Sequence, residues 1–143
     1  MLRRRMAAAG SGDEYILKDG VLQAGHSITQ TSGSYTQGSG EIVLQTRGGN
    51  YIKGAEALDL TKYRYLCFNA YRSVGGFGDC AALKGSTDIG RTDFPFAYGT
   101  AVVIDLNAYR TDTLYWRASN GNYSADRYPA YIKDIWLTNS PPA

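Results

Sequence analysis

The sequence has few of the residues from which metal centres and disulfide scaffolds are built. It contains a single histidine, His26, and two cysteines, Cys67 and Cys80, with no Cys-x-x-Cys spacing. Because zinc and related ions are held by clustered His and Cys ligands, we predict no site of that kind. Two cysteines are also too few for a disulfide framework, and we expect both to be unpaired and partly buried rather than joined to each other.

Catalytic constellations are equally scarce. The thirteen acidic residues are scattered and fall mostly in predicted turns. No nucleophile elbow, phosphate loop or metalloprotease helix is present, and no placed pair of carboxylates of the glycosidase type stands out. Asp79, Asp88 and Asp93 lack the spacing that would bring six to eight oxygens onto a calcium ion. The sequence therefore predicts a non-enzymatic protein with no metal and no cofactor.

The sequence also has no marked excess of charge of one sign and no long apolar run. The net charge is +2, but three of the fifteen basic residues are Arg3, Arg4 and Arg5, and the remaining twelve face thirteen acidic residues. A body this neutral has no basic stripe for nucleic acid, so that partner is not expected. No apolar run approaches the roughly twenty residues of a membrane-spanning helix, and we predict no membrane insertion.

The opening of the chain is interpreted as a basic arm. Residues 1–12 carry the three arginines, then Met-Ala-Ala-Ala, and end in Gly-Ser-Gly, which is flexible-linker chemistry. The apolar part is shorter than the roughly seven to fifteen residues of a signal-peptide core, so we expect the arm to stay unprocessed. We predict an extended or short helical arm in which Arg3, Arg4 and Arg5 anchor the protein to a partner.

The residues that are abundant favour pleated structure. Twelve tyrosines and seventeen glycines accompany 43% hydrophobic residues, and no helical segment of useful length is evident. We predict an all-β domain over residues 13–139, a jelly-roll β-sandwich of about eight or nine strands, followed by a short tail at 140–143. Residues 84–95 are expected to form a long polar loop, and residues 24–40 a polar segment with Ile28 and Tyr35 as inward anchors.

A phrase that occurs twice is the most informative feature. Residues 57–70 and 103–118 both run from apolar residues through Asp-Leu to a tyrosine four positions after the aspartate, and then into an alternating strand. Alternation has a period of two, so one face of each strand is buried and the other is free. The predicted buried residues are Leu66, Phe68 and Ala70 in one strand and Leu114, Trp116 and Ala118 in the other.

The free faces supply the candidate site. If the two strands lie in one sheet, neighbouring faces carry groups that stack on sugars and hydrogen-bond to them, namely Tyr65, Asn69, Tyr71, Tyr115 and Arg117. The alternative is that these tyrosines pack within the sandwich or against a neighbouring subunit. Trp116 and Trp136 are expected in the core or packed on a sheet rather than as ligand platforms.

From Glu41 onward the chain resembles the galactose-binding-like jelly rolls of carbohydrate-binding modules. The resemblance is carried by LDLTKYRYLCFNAY, AVVIDLNAYRTDTLYWRAS and AYIKDIWLT. It implies that the middle strand, the later pair of strands and the closing strand are adjacent around a core, and that the closing strand pairs near the N-terminal one. It also implies glycan binding, and a stand-alone carbohydrate-binding module is the alternative function that we carry forward.

The opening MLRRRMAAAGSGDEYILKDG is similar to the start of small virion proteins of bacteriophages and prophages. This likeness implies a tail, capsid-decoration or fiber component on the phage particle surface, made in the bacterial cytoplasm. Its partners would be other virion proteins held by the arm, sister subunits in a homo-oligomer, and a host-surface glycan. This non-enzymatic virion role is the leading functional prediction from the sequence, and a small glycan-active enzyme ranks third.

Overall fold

Two antiparallel sheets face each other across one hydrophobic core. The structure is a computed structural model that describes residues 12–45, 50–121 and 128–142. In those residues the strands are β1 (Glu14–Lys18), β2 (Val21–Leu22), β3 (Ile28–Ser32), β4 (Tyr35–Gln37), β5 (Ile42–Leu44), β6 (Asn50–Gly54), β7 (Tyr65–Arg72), β8 (Asp79–Lys84), β9 (Thr87–Asp93), β10 (Val102–Asp105), β11 (Tyr115–Asn120) and β12 (Ala130–Thr138). The predicted all-β sandwich is confirmed.

The first sheet, sheet A, has the order β10-β7-β12-β1-β2, and β5 extends it by pairing with β12 on one side and β4 on the other. The second, sheet B, has the order β3-β6-β11-β8-β9. The closing strand β12 pairs with the N-terminal strand β1, as the resemblance implied. Strand β7 lies between β10 and β12, so the adjacency that the resemblance implied holds for these three strands. Strand β11, which carries the second repeated phrase, lies in sheet B, so the prediction that it is adjacent to β7 is wrong.

The repeated phrases explain this separation, because each one carries the chain from one sheet to the other. The first phrase leads from β6 in sheet B to β7 in sheet A, and the second leads from β10 in sheet A to β11 in sheet B. Their corners meet at one end of the sandwich. The Leu58 N–H donates to the Leu114 carbonyl, and the Leu106 N–H donates to the Arg64 carbonyl, both at 2.8 Å.

The core has the composition that alternation predicts. Leu66, Phe68 and Ala70 of β7 are fully buried, and they face Trp116 and Ala118 of β11 across the two sheets. The edge of the Trp116 ring meets Phe68, with 6.5 Å between ring centroids. These contacts remove large apolar surfaces from water and hold the sheets together. Among the described residues no helix is long and apolar enough to cross a membrane.

The predicted polar loop at 84–95 and the predicted polar segment at 24–40 both contain strands. Residues 84–95 include β9, and residues 24–40 include β3 and β4. Strand β9 is an edge strand of sheet B in which only Ile89 is buried, so its sequence is almost entirely polar. Polar edge strands discourage unwanted pairing with other chains, and they lack the apolar alternation on which the prediction relied. Ile28 and Tyr35 do pack against the core, as expected.

Candidate functional site

The five residues predicted to bind a ligand do not form one site. Tyr65, Asn69 and Tyr71 lie on the outer face of sheet A, whereas Tyr115 and Arg117 lie on the outer face of sheet B. The condition that both strands share a sheet is not met, because the second phrase delivers its strand to the opposite layer. The two outer faces therefore have to be considered separately.

On sheet B, Arg117 is buried and its donors are occupied. Its Nε donates to Asp88 Oδ1 at 3.0 Å and its Nη2 to Asp88 Oδ2 at 2.6 Å. Its Nη1 donates to Asp79 and also to Ser119 Oγ, and the side chain is only 3% exposed. Burial alone would lower the pKa of Arg117, but the hydrogen bonds to Asp88 and Asp79 outweigh it and raise that pKa. The same guanidinium lowers the pKa of Asp88.

This network also engages the acidic residues that were weighed as calcium ligands. Arg91 bonds Asp79 at 2.7 Å and Asp93 at 3.2 Å, so Asp79 is shared between two guanidinium groups. Within residues 12–45, 50–121 and 128–142, no cluster of three or more His, Cys, Asp or Glu side chains could hold a metal ion. On this face Arg117 therefore serves a structural ion-pair network.

The outer face of sheet A carries a row of aromatic rings. Tyr71 of β7 stacks on Tyr131 of β12, with ring centroids 4.6 Å apart and planes inclined by 19°. Tyr98, from the segment between β9 and β10, meets the Tyr71 ring edge-on at 4.5 Å. The Tyr98 hydroxyl donates to Glu41 Oε1 at 2.9 Å, which fixes that ring over the sheet. Three tyrosines from three parts of the chain thus form one cluster, here called the tyrosine cluster.

Burial raises the pKa of two tyrosines of this cluster, Tyr71 and Tyr98. It raises the pKa of Tyr71, with smaller contributions from the nearby Glu41 carboxylate and the Tyr131 hydroxyl. Burial and the bond to Glu41 also raise the pKa of Tyr98. Both hydroxyls therefore stay protonated near neutral pH and can donate hydrogen bonds. All three rings nevertheless keep part of their surface exposed.

Polar side chains lie beside the tyrosine cluster on the outer face of sheet A. Asn69 Nδ2 donates to Asp134 Oδ2 at 3.1 Å, and the Asp19 backbone N–H donates to Asp134 Oδ1 at 2.9 Å. Further along β12, Trp136 stacks on Tyr15, with centroids 5.8 Å apart. Trp136 is 9% exposed, in keeping with the expectation that it packs on the sheet. The outer face of sheet A therefore presents aromatic and hydrogen-bonding side chains side by side.

Sequence reasoning missed Tyr131, Asp134 and Tyr98. A bulge between Ile132 and Asp134 shifts the register, so that Tyr131 lies opposite Tyr71, Asp134 opposite Asn69 and Trp136 opposite Cys67. Strict alternation would place Tyr131 and Trp136 on opposite faces, and only a bulge puts them on one face. The period-two signal before the bulge marked Tyr131 as outward, but nothing in the sequence places the Tyr98 segment over β7.

Tyr65 is at the far end of the same face. Six residues of strand separate it from Tyr71, which corresponds to about 20 Å. Its ring lies under the Arg64 guanidinium, 5.0 Å from centroid to Cζ. On sheet B, Tyr115 lies beneath the Lys53 ammonium at 5.6 Å. Tyr65 is therefore remote from the tyrosine cluster, and Tyr115 is on the other side of the molecule.

The cysteines are free and buried, in agreement with the expectation. Cys67 lies on the outer side of sheet A, opposite Trp136, and Cys80 belongs to the core on sheet B. Burial raises the pKa of the Cys67 thiol to about 12 and also raises that of Cys80. Thiols of this kind are protonated at neutral pH and are poor nucleophiles. Arg3, Arg4 and Arg5 lie outside the described residues.

Comparisons with known proteins bear on the fold. No protein-family model and no curated protein matches the sequence. The glycoside hydrolase domain of Endo-D from Streptococcus pneumoniae R6 matches with a TM-score of 0.51 at 11% identity, over 80% of this chain and 22% of that one. This chain thus spans about a fifth of that protein. A likeness at this identity shows a related fold, and it does not identify a ligand.

Two carbohydrate-binding modules are similar in length to this chain. The family 11 module of the cellulosomal cellulase Lic26A-Cel5E of Clostridium thermocellum gives a TM-score of 0.49 at 13% identity, over 94% of this chain and 99% of that one. The module CBM36, solved with calcium and xylotriose, gives a TM-score of 0.39 at 14% identity, over 85% of this chain and 96% of that one.

Proposed function

We propose that this domain is a non-catalytic carbohydrate-binding module whose ligand lies on the outer face of sheet A. The observation that carries the proposal is the tyrosine cluster of Tyr71, Tyr98 and Tyr131, which adjoins the hydrogen-bonded pair of Asn69 and Asp134. Sugars present C–H faces that pack on aromatic rings and hydroxyls that need polar partners. This face offers both kinds of group within one surface.

The arrangement is also preorganised. The tyrosine rings support one another, Glu41 holds the hydroxyl of Tyr98, and two donors hold the carboxylate of Asp134. Side chains that are already fixed lose little conformational entropy when a ligand binds, so more of the interaction energy appears as affinity. On sheet B, by contrast, the donors of Arg117 are committed to Asp79, Asp88 and Ser119, and a ligand would have to displace them.

A binding experiment on single-site variants tests which face is used. The purified chain is screened against plant, bacterial and fungal polysaccharides, and the hits are measured by titration calorimetry. Tyr71→Ala and Tyr131→Ala remove apolar contacts worth about 1.5–3 kcal/mol each, so each should weaken binding roughly tenfold to a hundredfold. Tyr115→Ala, the matched tyrosine on sheet B, should stay within about twofold of the unmodified chain.

Two results would contradict the proposal. One is a loss of binding in Tyr115→Ala while Tyr71→Ala binds normally, since the ligand would then lie on sheet B. The other is a chain that binds no polysaccharide and forms an oligomer in solution in which Tyr71 and Tyr131 are covered. The virion location, its partners and the anchoring role of Arg3, Arg4 and Arg5 stay predictions from the opening of the sequence.

A further inference from the structure

Arg72 is held in place by two neutral carbonyl groups. Arg64, Arg91 and Arg117 all form ion pairs with aspartates, whereas no ion pair joins Arg72 to any carboxylate of residues 12–45, 50–121 and 128–142. It is nonetheless fixed. Its backbone N–H donates to the Pro95 carbonyl at 2.9 Å and its Nε to the Phe94 carbonyl at 2.7 Å. Both anchors are neutral carbonyl groups, so its positive charge is not cancelled.

An exposed aromatic ring covers this guanidinium. The Phe96 ring centroid lies 4.4 Å from the Arg72 Cζ, and 53% of Phe96 is open to solvent. The ring occupies one flat face of the guanidinium and Nε is bonded, which leaves the outer Nη edge for a ligand. Val74 and Phe77, in the neighbouring segment, are 76% and 57% exposed. Arg72 and Phe96 together therefore offer a fixed cation and an exposed aromatic ring in direct contact.

This group lies beside the proposed glycan site. Arg72 directly follows Tyr71 in β7, and Tyr98 comes two residues after Phe96 in the segment that lies over Tyr71. One segment therefore positions both the ring that covers Arg72 and the ring that completes the tyrosine cluster. Successive side chains of a strand point to opposite faces, so Arg72 and Phe96 lie at the end of β7 rather than on the tyrosine face itself. A glycan bound on Tyr71 would reach them by extending past that end of the strand.

We propose that Arg72 and Phe96 form a subsite for a sugar that carries a carboxylate, such as a uronic acid unit. The planar guanidinium edge can donate two parallel hydrogen bonds to a carboxylate, a bidentate arrangement, while the apolar face of the sugar packs on the exposed phenyl ring. The inference rests on the proposed glycan-binding function and gives that site a ligand class. It predicts that acidic polysaccharides bind better than neutral ones of the same backbone.

The experiment uses pairs of polysaccharides that differ only in charge. Polygalacturonate, alginate and hyaluronan are each compared with their carboxyl-reduced forms by titration calorimetry with the full chain. At least one acidic member should bind about tenfold or more tightly than its reduced partner, as expected for hydrogen bonds between charged groups. That preference should shrink as sodium chloride is raised, because salt screens exposed charges.

Variants separate the subsite from the rest of the surface. Arg72→Gln should abolish the preference for the acidic form and leave affinity for the reduced form within about twofold. Arg110→Gln removes an exposed arginine at the corner end and should keep the preference. Arg72→Lys keeps the charge but cannot form bidentate hydrogen bonds with a carboxylate, so it should retain only part of the preference for the acidic form. Phe96→Ala, at an exposed ring, should weaken binding of the acidic form without lowering thermal stability.

The outcomes distinguish the two proposals. If the chain binds neutral and acidic forms equally through Tyr71, or if Arg72→Gln keeps the preference, the subsite is wrong and the glycan-binding function stands. If no member of any pair binds while the wider polysaccharide screen gives hits that depend on Tyr71, only the subsite falls. If that screen also gives no hit, both proposals fall. If Arg72→Gln does not fold, Phe96→Ala and Arg72→Lys are used instead. An unchanged preference for acidic polysaccharides in both variants would overturn the subsite.

Discussion

At the scale of single residues, Arg117 shows how burial changes the role of a side chain. Alternation correctly placed it on the outward face of its strand. In β11 it lies opposite Ala81 of β8, and Asp88 lies one strand further, in β9. Because Ala81 is small, the Arg117 side chain can extend over β8, where it bonds Asp79, and reach Asp88 in β9. A residue that looked like a ligand group is therefore part of the protein's own charge network.

We predict that Arg117→Ala is strongly destabilising. It leaves Asp79 and Asp88 without their shared cation, and breaking a buried pair in this way costs about 3–5 kcal/mol. Because Asp88 is 37% exposed and water can solvate it, we expect a cost below that range, about 2–3 kcal/mol. The measurement is the free energy of unfolding in urea at pH 7.

The matched control is Arg91→Ala, which removes a 54% exposed arginine from the same network. An exposed ion pair contributes less than about 1 kcal/mol, so this variant should unfold near the wild-type urea concentration. Equal costs for the two variants would show that burial of Arg117 is not what makes its pairing important.

At the scale of elements, the two corners brace each other. Arg64, which closes the first corner, forms two hydrogen bonds with Asp105 at the start of the second, at 3.0 and 2.8 Å. Asp105 also accepts the Asn107 backbone N–H at 2.9 Å, the local turn expected of an aspartate at such a corner. Tyr63 and Tyr109, the tyrosines of the repeated phrase, pack against the edge of the core.

This brace should depend on pH. The Arg64 side chain, followed by the Asn107 N–H, lowers the pKa of Asp105 from its ordinary 3.8 to about 2. A carboxylate with a lower pKa in the folded state stabilises that state above about pH 4, and the stabilisation is lost as the pH falls toward about 2. We expect Asp105→Asn to be less stable than wild type at pH 6, with a gap that closes between pH 4 and pH 2.

Urea unfolding at a series of pH values measures that gap. In an Arg64→Gln background the same Asp105→Asn substitution should cost less, because the guanidinium that responds to the carboxylate charge is gone. A gap of constant size from pH 6 to pH 2 in the wild-type background would contradict the assignment.

At the scale of the whole molecule, the two sheets depend on a close fit at Trp116. A Cβ added at Gly54 of β6 would lie 2.4 Å from Trp116 Nε1 and 2.6 Å from its Cδ1. Trp116 is 1% exposed and touches Phe68 of the opposite sheet, so it has little room to move. Interiors packed at this density resist even one extra methyl group.

We therefore predict that Gly54→Ala destabilises the fold by about 1–3 kcal/mol through overpacking. Gly121→Ala is the control, since no atom of the described residues beyond its chain neighbours lies within 4 Å of a Cβ at that position, and its effect should be within about 0.5 kcal/mol. Thermal unfolding compares the two. A Gly54→Ala protein as stable as Gly121→Ala would show that Trp116 is free to shift.

Much of the fold could be predicted because it rests on local pattern. The alternation of Leu66, Phe68 and Ala70 predicted the core face of β7, and all three residues are fully buried. The polar edge strand β9 was not predicted, because an edge strand with one buried residue shows no alternation of apolar and polar residues. On the face proposed to bind a glycan, alternation predicted the outward placement of Tyr71 and Asn69, but it did not predict that Tyr98 and Asp134 lie beside them.

The sequence by itself determined which side chains of each strand face inward, because pleating alternates side chains and the hydrophobic effect selects the apolar set. It also fixed the corners, since Asp-Leu phrases make their turns with local hydrogen bonds. Only the tertiary structure decided which layer each strand joins and therefore which outward groups meet. Sheet membership depends on hydrogen bonds between segments far apart in the chain, and the bulge that aligns Tyr131 with Tyr71 depends on the neighbouring strand.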